Sequence, residues 1–128
     1  MWYNNDIGER VTPRKGASRH MSTLRVGRWM SRAEYDAMVA AGRVQPTAAG
    51  LDMKHVTAPP DPDAFRAAPS GSVFAEFDVV DAQVAPGGHP SWLILYGANS
   101  TLGRLAARRG LPAAALPRAA NVVVTETS

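Results

Sequence analysis

With 128 residues, 45% of them apolar, the chain is long enough for one domain with a core and too short for two. It has no cysteine, which excludes disulfides, thiolate metal sites, iron–sulfur clusters and a cysteine nucleophile. The formal charge of +3 comes from arginine (12, against 2 lysines), and no apolar run approaches the roughly 20 residues of a membrane span.

Residues 1–22 are polar, mixed in charge and without apolar periodicity; they read as a flexible tail or linker before a domain over 23–128. Met1–Asp6 lacks the basic-then-apolar order of a signal peptide. Leu24–Met30 alternates as a strand, with Leu24, Val26, Arg28 and Met30 on one face and Arg25, Gly27 and Trp29 on the other. An arginine on an otherwise apolar face is costly unless an anion or carboxylate meets it. Ser31-Arg32-Ala33-Glu34 has capping-box spacing and opens a helix through Tyr35, Met38 and Val39 that stops at Gly42, with Glu34 read as a cap.

Asp52–Thr57 reads as a weak strand, followed by a proline-rich stretch with one short turn around Asp63–Arg66, capped by Asp61 with Pro62 at its first position. Ser72–Val80 is the clearest strand, carrying Val73, Ala75, Phe77 and Val79 on one face and Phe74, Glu76, Asp78 and Val80 on the other. After the turn Pro86-Gly87-Gly88 comes a strand over Ser91–Tyr96. Gly97–Ser100 then leads into a helix bearing Leu102, Leu105 and Ala106, closed by Gly110 and Pro112. Asn121–Thr125 is the last strand. Short elements in the order β-α-β-β-β-α-β predict an α+β domain rather than a doubly wound parallel sheet.

Three places hold residue types suited to chemistry. At Gly27–Ser31 an arginine near a strand end precedes a helix N-terminus, so a guanidinium fork and free backbone N–H groups would face the same anion; Trp29 and Ser31 belong to this place. At Gly97–Arg104, Asn99 or Ser100 caps a helix, without the spacing of a P-loop or dinucleotide fingerprint. On the strands, His55, Thr57, Glu76 and Asp78 are polar, and the i, i+2 spacing of Glu76 and Asp78 puts both carboxylates on one face. An outer sheet face that is simply solvated would read the same way. His20, His55 and His89 lack metal-ligand spacing, so no metal is expected.

The run Val26–Gln45, with His55-Val56-Thr57, Asp61–Phe65, Gly71–Val79 and Gly97–Pro112, resembles the ADP-ribosyltransferase toxin domain at the C-terminus of some Rhs polymorphic toxins, most of all the TreTu type. The likeness spans roughly residues 24–123. It implies a compact ADP-ribosyltransferase-like fold, a split, mainly antiparallel sheet with short helices, that takes NAD+ as substrate. Arg28 would grip NAD+, with Trp29, Ser31, His55, Thr57, Asn99 and Ser100 around it. The usual Ser-Thr-Ser of the second strand is absent here. Where a Glu-x-Glu would follow Trp92–Tyr96, this chain has Asn99-Ser100 and then a helix. With Glu34 read as a cap, Asp61 and Asp63 as turn residues and Glu126 close to Ser128, Glu76 is left as the catalytic carboxylate beside Arg28, with Asp78 and Glu126 next in order.

The resemblance further implies delivery into a target-cell cytoplasm by a larger secreted toxin during interbacterial competition. Elongation factor Tu would be the modified protein, translation would stop, and a cognate immunity protein would be the partner in the producing cell. Neither a membrane nor nucleic acid is an expected partner. Two alternatives stand beside it: a metal-independent ribonuclease toxin using His55 or His89 with Glu76, and a non-catalytic anion- or nucleic-acid-binding module.

Overall fold

The alternation over Leu24–Met30 produces strand β1 (Thr23–Met30), and Ser31 then turns the chain into helix α1 (Arg32–Ala41), which ends at Gly42 in a left-handed conformation. The remaining elements are β2 (Met53–Thr57), β3 (Val73–Val80), β4 (Val84–Pro86), β5 (Trp92–Tyr96), α2 (Thr101–Arg108) and β6 (Ala119–Thr127). The structure, a computed structural model, describes residues 22–64, 68–111 and 114–128. The tail read over 1–22 falls outside these apart from Ser22, as do Phe65–Ala67 of the proline-rich turn and Pro112.

The six strands form one antiparallel sheet in the order β4-β5-β2-β1-β3-β6, and with two short helices the domain is α+β. Pairing along the sheet is uneven. β1 and β3 match over all eight residues, from Thr23 opposite Val80 to Met30 opposite Val73. β1 and β2 share a single register pair, Gly27 opposite Thr57. The sheet therefore consists of two three-stranded halves, β4-β5-β2 and β1-β3-β6, that meet at one point and diverge beyond it.

One face carries the core. Val26, Met30, Val73, Ala75, Phe77 and Val79 of the β1–β3 pair are buried there with Val56, Leu95, Met38 of α1, and Val44, Leu116 and Ala119. The opposite face is covered locally by the proline-rich stretch. Trp29 meets Phe74 edge to face with ring centroids 5.4 Å apart, and its Nε1 donates to the Pro62 carbonyl at 2.8 Å. Asp61 does cap the turn: Asp63 N–H donates to its carboxylate and Ala64 N–H to its carbonyl.

Three expectations change. β4 is an additional strand: it has only three residues, and Pro86, which has no N–H to donate, is tolerated because β4 is an edge strand. The last strand starts earlier, at Ala119, because tertiary pairing with β3 overrides the weak strand preference of two alanines. Leu105 does not join the inward stripe of α2. It is 42% exposed, while Gly103 and Ala106 are buried. α2 closes with Leu111 N–H on the Ala106 carbonyl and Gly110 N–H on that of Ala107, with Gly110 in the left-handed region.

Gly27 makes the junction of the two halves possible. A Cβ there would overlap Cζ of the fully buried Phe74 ring and lie 2.8 Å from Cβ of Pro60. Gly27→Ala is expected to destabilise the domain by about 1–3 kcal/mol, the range for overpacking a filled site. Urea denaturation of the two proteins checks it, with the loss appearing in the midpoint and not in the slope.

Candidate functional site

Arg28 lies on the core face of β1, opposite Ala75, and its cost among apolar neighbours is met by specific partners. Nε donates to Glu34 Oε2 at 2.8 Å, Nη2 donates to Oε1 at 3.2 Å, and Nη1 donates to the His55 carbonyl at 3.0 Å. The last contact follows from the divergence of the sheet. Past Gly27 and Thr57 the β1–β2 ladder stops, and the guanidinium takes a β2 carbonyl in its place. Lys54 of β2 completes the cluster: it is only 6% exposed, with Nζ 3.3 Å from Glu34 Oε2. Two cations thus share one carboxylate, leaving a formal charge of +1.

The capping box forms only in half. Ser31 Oγ accepts the Glu34 N–H at 3.1 Å as expected of an N-cap, but the Glu34 side chain goes to Arg28 and Lys54 instead of back to Ser31. Two cations attract a carboxylate more strongly than one backbone N–H does, so the reading of Glu34 as a cap is corrected. Burial works to raise the Glu34 pKa. The Arg28 hydrogen bond and charge, with the charge of Lys54, outweigh burial and hold it below its ordinary value. The Lys54 pKa is lowered, first by burial and then by repulsion from Arg28, with attraction to Glu34 opposing both.

Beside this cluster opens a cleft of about 290 Å³, lined by Arg28, Trp29, Ser31, Arg32 and Glu34 on one side and by the Pro69–Ser72 segment on the other. The first intrahelical bond of α1 runs from Tyr35 N–H to the Ser31 carbonyl, which leaves the N–H groups of Arg32 and Ala33 without an intrahelical acceptor. Arg28 itself has five N–H donors, of which three are used in the cluster and two remain. An anion entering the cleft would meet a guanidinium edge, a helix N-terminus and a positive cluster together.

The other expected residues sit differently. Trp29 and Ser31 are at the cleft, whereas the His55 side chain points to the far face and only its backbone takes part. Thr57 is buried, its hydroxyl accepting from Asp61 N–H at 3.0 Å and facing the Gly27 carbonyl at 3.4 Å, which pins the junction. Ser100 is the buried N-cap of α2, bonded to the Gly97 carbonyl at 2.7 Å and the Gly103 N–H at 2.9 Å. Asn99 braces the loop before β2, its side chain donating to the Gly50 carbonyl at 2.7 Å and its N–H to Asp52. Neither Asn99 nor Ser100 bonds to Arg28, Glu34 or Lys54.

Glu76 and Arg28 do not meet. Glu76 lies opposite Gly27 on the other face of the sheet, 3.9 Å from Arg25. Asp78, on the same face, pairs with Arg25 at 3.3 Å and accepts from the Asn121 side chain at 2.9 Å, a bond that holds its pKa below the ordinary value. Glu126 is also on that face, opposite Phe74 in β6. His89 lies against Trp92 in the β4–β5 turn, with ring centroids 5.2 Å apart. Lys54 was not anticipated. The signal was present in the alternation of β2, which sets Lys54 beside Val56 on the apolar face, the same oddity that marked Arg28.

A family profile described as "TreTu toxin, C-terminal domain" matches residues 23–123, and the chain belongs to that family. No curated protein matches it significantly.

The cluster makes stability depend on pH in a defined direction. Because the folded-state pKa of Glu34 is depressed, its contribution is complete above the ordinary value of 4.5 and is lost as pH falls through the folded value. Lys54 acts at the other end: its depressed pKa means that the unfolded chain binds more protons just below 10.5, so stability rises with pH there. Glu34→Gln is expected to flatten the acid limb of a melting-temperature profile, with Asp78 retaining its own share. The variant should also be less stable by roughly 2–4 kcal/mol at neutral pH, since it leaves two cations facing each other in a partly buried site. Urea denaturation and thermal melts between pH 3 and neutrality, on the order of one unit apart, resolve both effects.

Proposed function

We propose that this toxin domain is a mono-ADP-ribosyltransferase that binds NAD+ in the Arg28 cleft and transfers ADP-ribose to a protein of the bacterial translation apparatus, elongation factor Tu being the target that the family resemblance implies. The observation that carries the proposal is that Arg28, with two N–H donors left over from the cluster, and Arg32, whose N–H has no intrahelical acceptor, line one cleft. A diphosphate is bidentate and doubly charged, and this is the donor geometry it needs.

In the reaction, the bond between nicotinamide and the ribose carbon breaks with its electron pair leaving on nicotinamide. The ribose passes through an oxocarbenium-like state, an acceptor nucleophile on the target forms the new bond, and the acceptor releases one proton. A fixed negative charge near the ribose lowers the barrier. Glu34 is the carboxylate lining the cleft. Its depressed pKa keeps it ionised, and with both oxygens engaged by Arg28 and Lys54 it suits the orientation of Arg28 better than proton abstraction. Glu76, on the opposite face, would serve only if the acceptor protein approached from there.

As a C-terminal toxin domain it would arrive as the end of a larger chain, and among the described residues no helix is long and apolar enough to cross a membrane. A cognate immunity protein would protect the producer by covering the cleft.

Incubation with NAD+ labelled on the adenine side, followed by intact-mass analysis of bacterial lysate proteins, is expected to show one added ADP-ribose. Arg28→Ala should keep its fold, since Lys54 still pairs with Glu34, and lose about 1.5–3 kcal/mol of NAD+ affinity by calorimetry, the value of hydrogen bonds to a charged group. Arg28→Lys should not restore it, because a point charge cannot reproduce the fork. Glu34→Gln should reduce turnover far more than Glu76→Gln. A folded Arg28→Ala domain with unchanged NAD+ affinity and transfer would refute the assignment, and loss of turnover in Glu76→Gln alone would move the carboxylate role to the far face.

A further inference from the structure

Helix α2 has two sides of opposite character. Gly103 and Ala106 are buried and Leu102 is half-buried, while Thr101, Arg104, Leu105 and Arg108 are exposed on the solvent side, with Arg109 and Leu111 exposed just beyond. Arg104 and Arg108 are i, i+4 neighbours of like charge, which weakens an isolated helix. No acidic residue lies in the first turn to complement the dipole, so Arg104 faces the unfavourable end of an eight-residue helix. Arg108, in the last turn, complements the dipole at its own end, but neither arginine gains a carboxylate partner. Among the described residues Arg104, Arg108 and Arg109 form no ion pair, and no carboxylate occurs between Asp81 and Glu126. Leu105 and Leu111 add apolar surface to the same patch, 42% and 50% exposed.

Topology sets this patch beside the candidate site. Tyr96 of β5 lies opposite Met53 of β2, and Gly97 N–H bonds the Asp52 carbonyl, so α2 begins at the N-terminal end of β2. The antiparallel register puts that end level with Met30 of β1 and Val73 of β3, the strand ends that flank the cleft. In the strand order only β2 stands between β5 and β1.

We propose that the exposed face of α2 is the docking surface for the protein acceptor, engaging an acidic patch on it through Arg104 and Arg108 around Leu105. The assignment of the acceptor rests on the transferase function proposed above. A protein suits this face better than RNA: its exposed side offers no aromatic side chain for base stacking, and it intersperses leucine with arginine, the mixture of apolar anchor and charged rim typical of protein interfaces. The charge complementarity would speed encounter and fix the acceptor beside the cleft.

The test compares the wild-type domain with the double variant R104E/R108E and with Leu105→Ser. The double variant keeps one like-charge pair, and against the helix dipole it gains at position 104 what it loses at position 108, so its melting temperature should change little. It should bind NAD+ as the wild type does by calorimetry, yet label the lysate protein about tenfold more slowly or worse, since like charges across an interface cost several kcal/mol. Leu105→Ser should slow labelling with NAD+ affinity unchanged. Added polyglutamate should inhibit wild-type labelling and lose that effect on the double variant. The docking surface is refuted if labelling is unchanged, if NAD+ affinity falls in parallel with it, or if ribonuclease treatment of the lysate removes the labelled species. Should the wild type move no label from NAD+ at all, the transferase function fails and the face is judged by binding alone. Polyglutamate bound by the wild type and not by the double variant then supports an acidic protein partner. No binding, or an equal preference for polyuridine, overturns it.

Discussion

β1 and β2 part company after one register pair, and the rest of the site follows from how that gap is filled. A ladder that stops in the interior leaves a backbone carbonyl without its strand partner, a cost comparable to a lost hydrogen bond. Here the His55 carbonyl receives the Arg28 guanidinium instead. Placing that cation among Val26, Met30 and Ala75 requires a counter-charge, which Glu34 supplies from the first turn of α1, and Lys54 reaches the same carboxylate from β2. Three elements that also share the apolar core are thus registered by charge. Buried ion clusters of this kind contribute little net stability once desolvation is counted, but breaking one is costly, so the arrangement fixes geometry more than it adds free energy. Because the cluster contains one more cation than anion, the cleft floor is left positive.

The far face of the β1–β3 pair handles its charges in the opposite way. Arg25 sits between Glu76 and Asp78, donates to the Asn121 carbonyl at 2.9 Å, and is closed off by the Asn121 side chain on Asp78. Asn121 takes a positive φ near the register shift between Glu76 and Asp78, a conformation asparagine tolerates better than most residues. Two carboxylates and one arginine there satisfy each other and the bulge. The same residue types therefore serve a structural network on one face and leave donors free on the other. Partner count, more than residue type, separates them.

How much of this could be read from the sequence depends on the period of the signal. The two faces of Leu24–Met30 and of Ser72–Val80 were legible because strict alternation survives in them, and with it the anomaly of Arg28. The serine and glycine that bound α1 were legible because their signals are local. The partner of Arg28 was not, since capping-box spacing explains Glu34 equally well until the tertiary position of Lys54 is known. Asn99, Ser100 and Thr57 looked like ligand residues for the same reason. Short polar side chains at loop ends serve caps and braces as readily as ligands, and only the hydrogen bonds they make distinguish the two. Glu76 was singled out by elimination, which cannot tell the two faces of a sheet apart when the facing residue, Arg25, belongs to another strand.

The antiparallel order also divides the ends of the sheet by task. At one end the connections are short and closed on themselves: Asp81 N–H bonds the Ser22 carbonyl and Ala58 N–H that of Ser91. At the other end lie the N-terminus of α1, the Pro69–Ser72 segment and the Gly97–Ser100 turn into α2. Asp52 and Asn99 brace that turn with reciprocal backbone and side-chain bonds, so α2 is held firmly although few of its own side chains are buried. A helix fixed at its base and bare along its outer side is rigid without being covered, and a rigid exposed face loses less conformational entropy on binding than a mobile loop would. Among the described residues the arginines it carries form no ion pair, whereas those on β1 do. The division runs along the chain as it does through the fold: β1 ties the halves together through Arg28 and its own half through Arg25, and α2 presents its charges outward beside the opening between them.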